Sequence, residues 1–162
     1  MVLFSIQITI LFNFDLSFIH SMYNELNTLK NEVTALNHNE TKEIIITLLK
    51  PIVQNLVDGN FSILSANSQI ESELTEQDIL EEINFYPGTM TIPPDNAYHN
   101  WDETIHLFEK DKPIKIENLT LTYHLDFDLF FDNELSDLTL QCNIYEDNHS
   151  NLSIKIENIH VL

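Results

Sequence analysis

The sequence contains no arginine, and its seven lysines stand against 26 acidic residues, which gives a formal net charge of −19. Proteins that bind nucleic acids or anionic membranes need clustered Lys and Arg to neutralise phosphate groups. The charge therefore argues against nucleic acid and against a membrane surface as partners. It would attract and steer a basic protein. The alternative interpretation is that the charge only keeps the protein in solution.

Glycine and cysteine are almost absent, with two glycines and one cysteine in 162 residues. Gly59 and Gly88 alone cannot form a glycine-rich phosphate loop. Cys142 cannot form an internal disulfide, and its place in the apolar phase of a predicted strand indicates a buried thiol rather than a nucleophile. A reducing, cytoplasmic location and no cofactor are expected.

The clearest pattern in the chain runs from Leu119 to Phe131, where every odd position is apolar. Polar residues occupy the even positions from 120 to 128. A period of two over this length predicts a β-strand with one face in the core and the other in water. Phe127 is expected at the buried centre of this strand.

The first 21 residues also alternate, with apolar side chains at even positions. Gln7 and Asn13 interrupt the run, and no basic residue precedes it, which argues against a membrane span and a signal peptide. Two interpretations stay open: an additional strand, or a mis-assigned start with the native chain beginning at Met22. Residues 22–162 have a length that predicts one domain.

Helical periodicity characterises the next part of the chain. An apolar seam over residues 23–37 predicts a short helix, which could pack on the domain or on a copy of itself as a homodimer contact. Thr41 is expected to cap a second helix, in which Pro51 either introduces a kink or begins a new helix. Thr75 and Asp78 have the spacing of a capping box for a further helix.

Two segments are predicted to lie outside regular structure before the long strand. Residues 89–97 contain a Pro-Pro pair and are expected to form an extended crossing on the surface. A short strand over 105–108 should follow, with a turn at residues 111–113.

The C-terminal part predicts a meander. A loop over 132–137 is expected after the long strand, and two alternating strands begin near residues 138 and 152. The apolar phase of the last strand shifts at Glu157-Asn158, which predicts a β-bulge. Helices followed by an antiparallel meander predict an α+β fold, with N-terminal helices packed on a curved sheet of cystatin-like or NTF2-like architecture.

Polar residues on the long strand provide two candidate sites. His124, Asp126 and Asp128 share one strand face, and a histidine with carboxylates suits a divalent metal ion, although a solvated strand face is the alternative. No lysine occurs between residues 116 and 154. The candidate acidic patch for a basic partner consists of Asp126, Asp128, Asp132, Glu134 and Asp137.

Three segments resemble a bacterial family of unknown function: ILEEINFYPGTMTIPPDNAY (79–98), YHLDFDLFFDNELSDLTLQCNIYED (123–147) and IKIENIHVL (154–162). Members carry a helix, a threonine-and-proline crossing, a strand ending in Leu-Trp, an acidic loop leading into Ser-Asp-Leu-Thr-Leu, and a His-Val-Leu tail. The segments 136–140 and 160–162 match, whereas Phe130 stands where Trp is common. The resemblance covers roughly residues 50–162 and implies no established activity.

The expected function is that of a non-enzymatic acidic binding protein. Some small acidic proteins of this general sort accompany toxins, so the specific hypothesis is an immunity-type protein that neutralises a basic toxin domain. The rival hypothesis is an NTF2-like pocket domain that binds or transforms a small molecule, with a carboxylate pair in general acid–base catalysis. A deep pocket with a convergent histidine and carboxylate would favour the rival, and a filled core with acids outside would favour the binding protein.

Overall fold

The computed structural model describes residues 16–161, and it describes their side chains except for those of residues 16–19 and 29–37. The chain divides into two compact units, Met1–Lys42 and Glu43–Leu162. The alternating segment falls mostly outside the described residues, so both interpretations of it stay predictions. Most side chains of the predicted dimer seam over 23–37 also fall outside them.

Helices precede an antiparallel sheet in the chain, which confirms the predicted α+β fold. The helices are α1 (Leu16–Val57), α2 (Phe61–Ala66), α3 (Glu76–Phe85) and a 3-10 helix (Asp95–His99). The strands are β1 (Met90–Thr91), β2 (Ile105–Ile116), β3 (Leu119–Phe131), β4 (Glu134–Asp147) and β5 (Leu152–Val161). The cystatin-like or NTF2-like architecture stays a prediction.

The sheet is centred on β3 and β4. Its order is β1-β3-β4-β5, and β2 pairs with β3 as well, over residues 119–127, whereas β1 pairs with residues 130–131. We call the face that carries the hydrophobic core the inner face. It is built from fully buried side chains, among them Leu125, Phe127, Leu140, Cys142 and Ile156. The predicted burial of Phe127 and of Cys142 is therefore confirmed.

The end of α1 supplies the helical side of the core, through Ile45, Leu49, Ile52, Val53 and Leu56. These residues recur at helical spacing, so they form one apolar stripe. Lys50 lies within the same stretch of α1 and makes polar contacts. Its Nζ lies 3.0 Å from Asp95 Oδ1 and 5.0 Å from the centre of the Tyr98 ring. The stripe explains why this stretch is helical and buried.

Two helix predictions need correction, because α1 is continuous where the sequence predicted a boundary. Thr41 lies inside α1, so the predicted N-cap there is wrong. Pro51 also lies inside α1, so it does not begin a new helix. Pro51 is exposed, whereas Ile52 and Val53 beside it are buried. Burial of the apolar stripe on both sides of the proline offsets the loss of one backbone hydrogen bond.

The capping box at the start of α3 is confirmed. Thr75 N donates to Asp78 Oδ2 at 2.8 Å, and Asp78 N donates to Thr75 Oγ1 at 3.2 Å. The hydrogen bonds from the Thr75 side chain and backbone lower the pKa of Asp78 below its ordinary value. The Thr75–Asp78 spacing was enough to predict this cap, because both residues lie within one turn of helix.

The predicted turn at residues 111–113 is wrong, because this segment belongs to β2. The pairing of β2 with β3 shifts between Glu109 and Ile114, so the proline lies in an irregular part of the strand. An edge strand tolerates proline, since an outward N–H is not needed for pairing. The chain turns instead at residues 117–118, where Glu117 has a φ of 54°.

The loop predicted over 132–137 is shorter than expected. The turn consists of Asp132 and Asn133, with φ values of 52° and 65°, and β4 begins at Glu134. A tight hairpin needs positive φ at both central residues, and Asp and Asn are among the non-glycine residues that tolerate it. Asp137 therefore lies within a strand and not in a loop.

The crossing predicted over 89–97 is only partly extended. Met90 and Thr91 form β1, and the 3-10 helix begins at Asp95. Pro93 and Ala97 are buried, so the segment is not a surface crossing throughout. Pairing of β1 with the end of β3 explains why these residues enter the core.

Two of the register shifts in the sheet change which side chains face away from the core. The register of β5 against β4 shifts at Glu157, which confirms the predicted bulge. A second shift occurs in β3 at Thr122, so Leu121 pairs with Tyr145 while Tyr123 pairs with Ile144. Neighbouring residues of a strand point to opposite faces. Leu121 therefore lies on the face opposite the core, which we call the outer face.

Candidate functional site on the outer sheet face

A polar cluster of His124, Asp126, Gln141 and Glu157 lies on the outer face, where β3, β4 and β5 run side by side. His124 Nε2 lies 2.9 Å from Asp126 Oδ1, and His124 Nδ1 lies 3.1 Å from Glu157 Oε2. Gln141 Nε2 donates to the same Asp126 oxygen at 3.0 Å. The bulge places Glu157 one residue out of the regular alternation, which brings it to the histidine.

The burial of Asp126 corrects the prediction that the even positions of β3 face water. Asp126 is only 9% exposed, although it lies on the outer face. His124 and Gln141 explain this, since a buried carboxylate needs hydrogen-bond donors.

Both ring nitrogens of His124 face carboxylate oxygens. Each nitrogen is therefore held within the cluster. A general base needs a ring nitrogen that can reach the proton of a reacting group, so this geometry is better suited to holding structure than to proton abstraction.

The five residues of the candidate acidic patch lie at different places. Asp126 and Asp128 are on the outer face, where Asp128 accepts a hydrogen bond from Thr139 Oγ1 at 2.8 Å. Asp132 and Glu134 are exposed at the β3–β4 turn, and Asp132 Oδ1 accepts from the Thr89 N–H at 3.1 Å. Asp137 is exposed and accepts from the Tyr86 hydroxyl. The structure thus separates Asp126 and Asp128 on the outer face from the three residues nearer the β3–β4 turn, Asp132, Glu134 and Asp137.

The candidate metal residues do not converge on one point. Asp126 is bound to His124, and Asp128 is bound to Thr139. Among the side chains that the structure describes, no group of three or more His, Cys, Asp or Glu is arranged to hold a metal ion.

A separate part of the outer face forms a concave groove, which sequence reasoning missed. It has a volume of about 590 Å³. One wall is apolar and comes from the ends of β2 and β3, with Leu119 and Leu121. The other wall is acidic and comes from the segment after α2, with Glu71 and Glu73. We call this feature the outer-face groove.

Backbone pairing brings the acidic wall to the sheet. The Glu71 N–H donates to the Ile156 carbonyl at 2.9 Å, and the Ile156 N–H donates to the Gln69 carbonyl at 2.8 Å. Residues 69–71 thereby extend the sheet beyond β5. The Glu71 side chain then extends across β5 to Asn143 and Tyr145 on the outer face of β4.

Glu71 is the centre of a hydrogen-bond network in the groove. The Tyr145 hydroxyl donates to Glu71 Oε1, and Asn143 Nδ2 donates to the same oxygen at 3.3 Å. Burial and the bond to Glu71 raise the pKa of Tyr145 above its ordinary value. Lys155 Nζ lies 3.8 Å from Glu71 Oε2 and 5.4 Å from the centre of the Tyr145 ring.

Asn143 carries an unusual polar atom. The residue is only 7% exposed, and its Oδ1 is buried without a hydrogen-bond partner among the residues the structure describes. A buried acceptor without a partner costs about 1–3 kcal/mol. Asn143 lines the groove, but this oxygen is itself enclosed and has almost no accessible surface.

Cys142 lies on the inner face, behind the polar cluster. Burial, above all, raises the pKa of its thiol, and the carboxylates of Asp126, Glu157 and Glu71 add to this effect. A raised pKa lowers the thiolate fraction at neutral pH, and the thiolate is the reactive form. The thiol is therefore unsuited to nucleophilic catalysis.

This burial gives a first prediction. Native protein treated with iodoacetamide at neutral pH should leave Cys142 unmodified, whereas protein in denaturant should react as a free thiol does. Mass spectrometry of the intact chain measures the modified fraction over time. Equal modification rates in the two states would contradict the burial of Cys142.

Sequence reasoning missed the groove residues Glu71, Asn143, Tyr145 and Lys155. Glu71 lies far from the other three in the chain. Its contact with them depends on the backbone pairing of residues 69–71 with Ile156 of β5. Asn143 and Tyr145 alternate with buried apolar residues in β4, which a sequence can show as a polar strand face but not as a groove. No pattern within one stretch of the sequence indicates that the two walls of the groove lie close together.

The comparisons with known proteins identify the family. The model of the family described as Domain of unknown function (DUF7668) matches residues 53–162, and the chain belongs to this family. The match confirms the resemblance to a family of unknown function. Neither curated proteins nor solved structures give a match. Among the helices of residues 16–161, none is long and apolar enough to cross a membrane.

Proposed function

We propose that the protein is a non-enzymatic binding protein that holds a basic protein partner on an acidic surface. The specific form of the proposal is an immunity-type protein that neutralises a basic toxin domain. The observation that carries it is the charge of the β3–β4 hairpin and its flanking turns. Residues 117–154 contain eight Asp and Glu residues and no Lys or Arg.

The arrangement of the core supports this proposal over an enzyme with a pocket inside the sheet. The inner face is filled, since Phe127, Leu140 and Ile156 are fully buried there. His124 and its carboxylates lie on the opposite face. A second candidate, an NTF2-like domain that binds a small molecule, is favoured by one observation, the outer-face groove.

The hairpin end is the part of the acidic surface that can be changed with least damage. Glu134 is exposed, so its charge can be reversed. Asp132 holds the Thr89 N–H and has a positive φ, so Asn is the better replacement, since it keeps an oxygen acceptor and tolerates that φ. Glu103→Lys with Glu109→Gln changes the net charge equally at exposed positions elsewhere.

A second prediction tests the proposal. In capture experiments from the native host, Asp132→Asn with Glu134→Lys should recover on the order of tenfold less partner at low salt, because electrostatic steering is weakened. Wild type and the Glu103→Lys, Glu109→Gln control should recover the same partner. High salt should reduce all recoveries, since exposed charges are screened.

Two results would count against the proposal. The first is equal recovery by the hairpin variant, the control and the wild type at both salt concentrations. The second is recovery of no partner by any of them. Either result would make the small-molecule candidate the better explanation of the fold.

A further inference from the structure

We propose that an apolar cleft beside α3 binds a segment of the basic partner in which apolar side chains stand next to lysine or arginine. This inference rests on the proposed function and adds an apolar contact to the acidic hairpin end. Charges across an interface mainly speed up association and select partners, whereas buried apolar anchors supply much of the affinity. A charged surface that holds a partner therefore needs an apolar site close by.

The cleft lies between the end of α1, α2, α3 and β1, and it has a volume of about 340 Å³. We call it the α3 cleft. Its walls include half-buried apolar side chains, namely Val57, Phe61, Leu80 and Ile83. These side chains keep part of their surface in water, and a docked apolar group would remove that surface from water.

The hairpin end adjoins the α3 cleft. Gly88, Thr89 and Phe131 line the cleft, and Phe131 directly precedes Asp132 in the chain. Asp132 Oδ1 accepts a hydrogen bond from the Thr89 N–H at 3.1 Å, and Asp132 N donates to the Thr89 carbonyl at 2.9 Å. One segment of a partner can therefore contact the cleft and the acids of the hairpin end together.

The segments that form the α3 cleft carry charge of one sign. Residues 51–90 contain seven Asp and Glu residues and no Lys or Arg. Asp58 is exposed and lies next to Gly59, which lines the cleft. Glu81 and Glu82 are exposed on α3, which forms one wall. Such surroundings favour a cation beside the apolar group and disfavour an anion.

The same charge decides between the possible occupants of the α3 cleft. A second copy of this chain also carries a formal net charge of −19, so the two copies would repel each other. A neutral apolar small molecule would match the walls and gain nothing from the acids around them. A basic segment with apolar side chains matches both the walls and their charged surroundings.

The experiment uses the full chain and three peptides with blocked ends, followed by two-dimensional NMR. Lys-Lys-Leu-Leu-Lys-Lys carries both the charge and the apolar anchor, and it should produce saturable amide shifts at Leu80, Ile83 and Thr89. Lys-Lys-Ser-Ser-Lys-Lys keeps the charge and should bind on the order of tenfold more weakly, because no apolar side chain is buried. Glu-Glu-Leu-Leu-Glu-Glu keeps the anchor with the charge reversed and should not bind.

Two substitutions test the walls and the charge separately. Leu80→Ala should weaken binding of the lysine–leucine peptide roughly fivefold, because it removes apolar surface from the cleft. Asp58→Asn should weaken it roughly threefold at low salt, because an exposed charge contributes less. Ile114→Ala and Glu103→Gln are the matched controls at exposed positions elsewhere, and they should have no effect. Asparagine can still accept the hydrogen bond from Gln54, so the Asp58 variant keeps the test decisive even if Leu80→Ala fails to fold.

Three results would overturn the inference. Equal binding of the serine peptide and the lysine–leucine peptide would show that charge alone is recognised. Equal binding of the glutamate peptide would assign the cleft to apolar groups of any charge, a small apolar ligand included. Self-association of the full chain that Leu80→Ala abolishes in analytical ultracentrifugation would assign the cleft to a second copy.

Capture from the native host separates this inference from the proposed function. Leu80→Ala should recover on the order of fivefold less partner than wild type, whereas Ile114→Ala should recover the same amount. If the hairpin variant loses a partner that wild type recovers, but the lysine–leucine peptide does not shift the cleft residues, only the present inference fails. If the peptide binds in the cleft and no partner is captured, the proposed function fails and the cleft remains a site for basic, apolar segments.

Discussion

Replacement of Phe127 by alanine should lower the free energy of unfolding by about 3–5 kcal/mol, the range observed for large aromatic side chains removed from a core. Phe127 is fully buried at the middle of β3 and stacks on Tyr98, with ring centres 5.2 Å apart. The variant would leave a cavity between the sheet and the 3-10 helix. Since small domains are stable by about 5–15 kcal/mol, a loss of this size threatens folding.

Urea denaturation followed by circular dichroism measures the effect. Asp128→Asn is the matched control, because the neighbouring residue lies on the outer face and asparagine can still accept the hydrogen bond from Thr139. We expect this control to change stability by less than about 1 kcal/mol. A larger loss for Asp128→Asn than for Phe127→Ala would mean that the faces of β3 are assigned the wrong way round.

Gly88→Ala is expected to cost roughly 1–3 kcal/mol, because it adds a side chain where the backbone is in a region that other residues rarely adopt. Gly88 has a φ of +99°, and a Cβ there would lie 2.6 Å from Asp132 Oδ2. The same carboxylate holds the Thr89 N–H through its other oxygen. The substitution therefore strains the backbone and pushes away the side chain that ties this segment to the β3–β4 turn.

Gly59→Ala separates these two effects. Gly59 has a φ of +70°, but a Cβ there would meet nothing within 4 Å. It should cost about 1 kcal/mol from backbone strain alone. Thermal denaturation of both variants gives the comparison. If Gly59→Ala is as damaging as Gly88→Ala, the contact with Asp132 has no role in stability.

The two bulges show how far a hydrophobic pattern can predict a sheet. In β5 the apolar residues move from even to odd positions around Glu157, and the bulge was predictable from that shift. In β3 the residues Leu119, Leu121 and Tyr123 are all apolar, so the pattern continues unchanged while the strand changes face at Thr122. Only the partners in β4 reveal the change.

The remaining differences also have physical causes. Residues 111–113 have the composition of a turn, yet an edge strand accommodates them because one side of it needs no pairing. Asp126 has the composition of a surface position, yet His124 and Gln141 bury it by supplying donors. In each case a distant or neighbouring strand outweighed the local preference.

The groove lay beyond sequence reasoning for a different reason. Its walls come from residues 71–73 and from β3, β4 and β5, and they meet through one short backbone pairing at Ile156. Each wall alone has an ordinary composition. The charge argument anticipated an acidic surface, but it could not locate a concave one.

That pairing at Ile156 also bears on the order in which the domain can fold. Residues 69–71 precede every strand of the sheet, and β5 is the last strand along the chain. Contacts between segments so far apart form late, since a long loop must close before they contribute. Until β5 is in place, residues 69–71 have no strand to join and the edge of β4 stays open. The acidic wall of the groove therefore depends on β5, and it exists only when that strand is in place.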